Sequence, residues 1–201
     1  MEAHAAHRHR PAERTRQRGR VDPLVVMRVG AIAGIAGGMM MAMWQMIVGA
    51  IAKDPTAVPG IHTTFWTPVE GIWSVIFGVH RFHGDFHFVP VVGGVMGHMM
   101  NSMILGIMGT ALIVTLLGRR PNIAAAIMLA VAYGIAIEAI LVNWIINGSQ
   151  KIETLYYSTP RWSWWVAHAI FGMTLGTVGA LLLHRQRSST EDQAQAAYAQ
   201  S

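Results

Sequence analysis

The chain has 201 residues, of which 53% are hydrophobic and only 12% charged, and it carries a formal net charge of +5. Soluble domains carry about 25% charged residues, so this composition excludes an ordinary water-soluble enzyme or binding module and points into a membrane. The absence of cysteine excludes disulfides, thiolate metal sites and cysteine nucleophiles.

Residues 1–23, MEAHAAHRHRPAERTRQRGRVDP, are polar, Arg-rich and without apolar periodicity, and are predicted to be a disordered arm. The apolar run behind them is too long for the core of a cleaved signal peptide, so an uncleaved anchor is expected. An Arg-rich arm can bind nucleic acid. Beside a membrane span its expected roles are topological and toward anionic lipid, with no nucleic-acid partner. His4, His7 and His9 read as part of a solvated arm rather than as metal ligands.

Four runs, at 24–52, 89–117, 123–146 and 162–183, exceed the roughly 18–20 apolar residues that cross a hydrocarbon core. The predicted fold is therefore all-α: a polytopic four-transmembrane-helix bundle over 24–187, followed by a disordered tail over 188–201. Most of the 15 Lys and Arg residues fall on the arm, in the turn GRRPN and in HRQR, whereas Lys53, Arg81, Lys151 and Arg161 lie on the opposite side. The positive-inside rule puts both termini in the cytoplasm, in a bacterial plasma membrane.

The first span carries Gly30, Gly34 and Gly38, with Gly37 alongside. Small residues at this spacing let helix backbones approach closely in lipid, and Gly93 with Gly97 and Gly172 with Gly176 repeat the pattern. A tight bundle is expected rather than a wide pore. Met39, Met40, Met41, Met43, Met46, Met96, Met99, Met100, Met103 and Met108 are expected to form a sulfur-rich lining, for flexible packing in preference to Cu(I) binding.

The loop over 53–88 contains TPVEGIWSVIFGVHRF. Thr67 as N-cap, Pro68 at N1 and Glu70 at N3 predict a capping box. The helix it starts is too short to span, and should lie at the outer interface or across the mouth of the bundle. Beyond it, HRFHGDFHF places His80, His83, Asp85 and His87 together. Such a set suits a divalent metal, with His62 and Glu70 as further candidates; the alternative is a wet loop facing headgroups and water. Near the fourth span, Tyr156, Tyr157, Trp162, Trp164 and Trp165 fit an interfacial aromatic belt.

The most informative polar residues lie inside the spans. At about 1.5 Å per residue, Gln45, His98, Glu138 and His168 fall at similar depth in the outer half of the membrane, one on each helix. Ionisable residues in such positions usually face the bundle interior and find partners. In one reading His98 and Glu138 hydrogen-bond to each other and stabilise the bundle. In another, His98, Glu138 and His168 hold a transition metal such as Fe, Cu or Zn. Alternatively, His98 and His168 are the axial ligands of haem b, with Gly94, Gly97 and Gly172 leaving room for the macrocycle. Gln45 and Asn101 are then expected in supporting contacts. In the last, Glu138 and the histidines form a proton path. There is no phosphate loop, HExxH, Glu-x-x-His pair or nucleophile elbow, and no transporter-type repeat, so no catalytic residue is assigned.

From His98 to Arg187 the layout resembles the YagU-like family of bacterial inner-membrane proteins. The residues concerned are the His-headed stretch GHMMNSMILG, the basic turn ending in RRPN, an outer loop with aromatic and Pro residues, and WWVAHAIFGM near the start of the last helix. The resemblance implies a small multi-spanning membrane protein and no particular activity. The functional expectation is an integral membrane protein with a metal or haem site. The contrasting expectations are an accessory subunit meeting a second copy or other membrane chains, and a proton-linked or solute channel.

Overall fold

Pro23 and Asp22 begin the first helix: Asp22 accepts a hydrogen bond from the Leu24 N–H at 2.9 Å, and Pro23 occupies a position where no amide is needed. The computed structural model describes residues 22–52, 63–77, 86–140 and 159–200. Five helices run in the order α1 (Pro23–Ile51), α2 (Thr67–Phe77), α3 (Phe88–Leu117), α4 (Ile123–Ala136) and α5 (Arg161–Ala199), with no strand among the described residues. All but α2 are long and apolar enough to cross a membrane, α4 together with the turn that extends it to Ile140. The protein is an all-α integral membrane protein.

Helices α1 and α5 form the central pair, with α3 packed mainly on α1 and α4 mainly on α5, and Gly109 of α3 reaching Leu175 of α5 and Tyr133 of α4. The glycines explain the pairing. A Cβ at Gly34 would meet the Ser102 carbonyl oxygen, and one at Gly106 would meet the Gly34 Cα and the Gly30 oxygen. At the other seam Gly172 abuts the Ala130 oxygen, and Gly134 abuts the His168 oxygen. Backbone lies directly on backbone along both seams, the close approach that small residues permit in lipid.

Helices α3 and α4 touch little, although a short turn joins them. That turn is held locally. Gly118 adopts φ 78°, the left-handed region that favours glycine. Asn122 caps α4 through hydrogen bonds from Ala124 and Ala125, and His184 Nε2 donates to the Pro121 carbonyl at 3.1 Å.

Only Met41 and Met99 of the expected methionine lining border the interior cavity. Met39, Met40, Met43, Met96, Met100 and Met108 are 51–67% exposed on the outer surface of the bundle, while Met41 points inward. The glycine sides of α1 and α3 face one another, so the long side chains on the opposite sides are left for lipid.

Helix α2 takes the second of its two expected positions and packs across the end of the bundle, against α3 and α1. Its polar residues Glu70 and Ser74 are buried together with Val69. Trp73 lies on Gly93 of α3, and the Val69 oxygen fills the space beside Gly94. The expected capping box is replaced by another arrangement. The Glu70 N–H donates to the Trp66 oxygen, the Thr67 hydroxyl accepts from the Thr64 N–H, and the Glu70 carboxylate reaches across to the start of α3.

The last helix continues to Ala199, through the stretch expected to be a disordered tail. No glycine or proline follows Gly179, and the stretch is rich in Ala and Gln, residues of high helix propensity. The basic arm before residue 22 lies outside the described residues.

Candidate functional site

Helix α4 changes to π-type winding over residues 137–140, the turn that carries Glu138. Glu138 has no exposed surface, and its Oε2 lies 3.1 Å from Nδ1 of the buried His168 on α5. The same nitrogen is 2.9 Å from the Trp164 carbonyl oxygen. A carbonyl only accepts, so Nδ1 carries a proton directed at Trp164, with the carboxyl group beside it at ion-pair distance. In the neutral imidazole this leaves the lone pair on Nε2. The Gly134–His168 backbone contact brings α4 and α5 close enough for the pair to form.

Gln45 forms a second polar group. Its Oε1 accepts from the Thr159 hydroxyl at 2.9 Å and lies 3.2 Å from the Ser163 hydroxyl, both at the start of α5. Ser163 also approaches the Pro160 carbonyl at 2.7 Å, and the Trp44 indole donates to the Ser163 carbonyl at 3.1 Å. The other branch of the Gln45 amide, Nε2, is buried without a hydrogen-bond partner among the described residues.

His98 is half-buried on α3, and its Nε2 donates to the Gly38 carbonyl of α1 at 3.0 Å. The Nδ1 nitrogen therefore keeps its lone pair. His98 and Gln45 line a cavity of about 50 Å³ together with Ala42, Val69, Ile72 and Trp164. Four helices thus contribute to its wall, and α2 forms one side. Its wall is almost entirely apolar, the kind of cavity that stays dry.

Of the residues expected to converge, the structure joins Glu138 to His168 and places Gln45 and His98 around one cavity. Trp164 links the two groups: its side chain lines the cavity and its carbonyl holds His168. Trp164 is thereby part of the interior, not of the exposed aromatic belt expected for it, whereas Trp162 is 57% exposed. His98 bonds to Gly38 and not to Glu138. Among the described residues no three His, Asp or Glu side chains are grouped for a metal ion. Asn101 is exposed on the outer face of α3, away from the site it was expected to support, because Ser102 and His98 take the inward positions against α1.

Two of the glycines expected to leave room for a haem lie against neighbouring helices. Gly94 and Gly172 are filled by helix packing, and a cavity of about 50 Å³ is far below the roughly 300–1,000 Å³ of drug-sized ligand pockets. Of the histidine-rich loop, His80, His83 and Asp85 (with His62) lie outside the described residues. His87 is described, and its partner is Glu70: the carboxylate accepts from the His87 N–H at 3.1 Å and lies 3.3 Å from Nδ1.

Compared with protein-family models, with curated proteins and with solved structures, the chain shows no significant match.

Sequence reasoning missed Thr159 and Ser163 as partners of Gln45. The stretch STPRWS at the start of a span has the look of a helix entry, but a local signal does not tell which distant side chain its hydroxyls meet. Tyr133 was missed as well; its hydroxyl donates to the Leu105 carbonyl at 3.0 Å and is one of the few ties between α4 and α3.

Proposed function

We propose that this integral membrane protein is a proton-linked channel or transporter whose titrating element is the Glu138–His168 pair. The observation that carries the reading is a carboxyl group with no exposed surface, 3.1 Å from an equally enclosed imidazole, inside a span. An ionisable pair in this position costs stability, and π-type turns in helices occur frequently at functional sites. The pair takes up and releases a proton on the carboxyl group or on the Nε2 of the imidazole. The proposed route for protons is from the α2 end, past Gln45 and His98, the polar side chains that border the cavity. In this reading the protein sits in a bacterial plasma membrane with both termini inside, the α2 end facing outward, as the charge distribution and the YagU-like layout imply.

The test is proton flux in liposomes loaded with a pH-sensitive dye and driven by a potassium diffusion potential. Flux above that of empty liposomes, abolished in Glu138→Gln and reduced in His98→Ala, supports the reading. Flux no greater than in empty liposomes, or unchanged in Glu138→Gln, refutes it.

A second reading, a transition-metal site, rests on His168. Its Nδ1–H is held by the Trp164 carbonyl, which leaves the Nε2 lone pair for a metal, as in metal-bound histidines. Stoichiometric Fe, Cu or Zn in the purified protein, lost in His168→Ala, would favour this reading over the first.

A further inference from the structure

Asn101 is a polar residue on the wrong side of its helix. It lies about 20 Å along an α3 that is about 45 Å long, in the middle of the span, and it is exposed on the outer surface. Its neighbours on that face are Met100, Ile104 and Met108, which are 48–59% exposed. The amide makes no hydrogen bond to another described residue. In hydrocarbon neither its two donors nor its acceptor finds water, and an unpaired amide there is costly. The rest of the face is apolar and gains nothing specific from contact with protein over contact with lipid.

We infer that this face of α3 is the contact between two copies of the chain, joined by a hydrogen-bonded pair of Asn101 amides. The chemistry selects the partner. A carboxamide is both donor and acceptor, so it is complementary to itself. Two copies inserted in the same direction are related by an axis along the membrane normal, which brings Asn101 of each to the same depth. A two-fold contact of this kind is closed and is the commonest symmetry of homo-oligomers. The flexible methionines flanking the amide adapt to the facing surface. The inference is independent of the proton reading, because it uses neither the Glu138–His168 pair nor the bond of His98 to Gly38.

The chain has no cysteine, so a single introduced thiol reports proximity without background. Ile104→Cys lies one turn from Asn101 and leaves the amide in place. In native membranes treated with a mild oxidant it is expected to give a disulfide-linked dimer. Met128→Cys, on the 74%-exposed outer position of α4, is the control and is expected to stay monomeric. Adding Asn101→Leu to Ile104→Cys should lower the cross-linked fraction several-fold. Because Asn101 is exposed, the substitution is expected to leave the monomer folded, and a monodisperse elution profile in detergent checks this. Equal cross-linking at positions 104 and 128, no cross-linking at 104, or cross-linking unaffected by Asn101→Leu would each overturn the inference.

Discussion

Glu138 and His168 meet 3.1 Å apart where α4 and α5 run backbone to backbone, and both side chains are buried. Removing one member of a buried ion pair leaves the other uncompensated, at a cost of roughly 3–5 kcal/mol. Glu138→Leu is expected to destabilise the protein on that scale, whereas the double variant Glu138→Leu/His168→Leu should recover much of the loss. Thermal unfolding in detergent of the two single variants and the double variant measures the coupling. Additive losses would show that the pair does not act as a unit.

Gly34 and Gly106 hold α1 against α3 with no room for a side chain between them. Gly106→Val is expected to push the two spans apart and cost about 1–3 kcal/mol or more by overpacking. Met108→Leu, on the outer surface of the same helix, should be neutral. Retained thermal stability in Gly106→Val would contradict a seam this close.

Glu70 ties α2 to the start of α3 by accepting from the His87 N–H at 3.1 Å. Its negative charge also lies at the positive end of the α3 dipole. Glu70→Ala should loosen α2, raising hydrogen–deuterium exchange over 67–77 while the centres of α1 and α5 remain protected. Glu70→Gln keeps an acceptor and should show a smaller effect. Equal exchange in wild type and Glu70→Ala would dismiss the tie.

Gln45 accepts the hydrogen bond of the Thr159 hydroxyl, and Thr159 is itself fully buried. Gln45→Leu orphans that hydroxyl and is expected to cost about 1–3 kcal/mol. Thr159→Val in the Gln45→Leu background removes the orphan, so the double variant should be more stable than Gln45→Leu alone. Denaturant titration of both variants in detergent decides the matter.

Much of the architecture was legible because the bilayer imposes it. A span must be about 20 apolar residues long whatever its neighbours are, so α1, α3 and α5 were readable with little error at their membrane entries. The helix starts at Asp22-Pro23 and Asn122 follow local chemistry in the same way. Glu138 and His168 could be picked out because charge in an apolar run is conspicuous and must find a partner.

What the composition of a helix does not contain is its rotation. Met39 and Met41 are two positions apart, yet one faces out and the other faces in; His98 and Asn101, three apart, separate in the same way. In water an apolar stripe marks the buried face, but in lipid both faces of a span are apolar, so the pattern that fixes rotation in a soluble protein is erased. Rotation is then decided by where backbone meets backbone at Gly34, Gly106, Gly134 and Gly172, which is a property of helix pairs. The sequence by itself therefore determined that this is a four-span membrane protein with ionisable groups in its spans. Only tertiary packing decided that Glu138 pairs with His168, that His98 bonds to a backbone carbonyl, and that Met39, Met40, Met43, Met96, Met100, Met108 and Asn101 face outward.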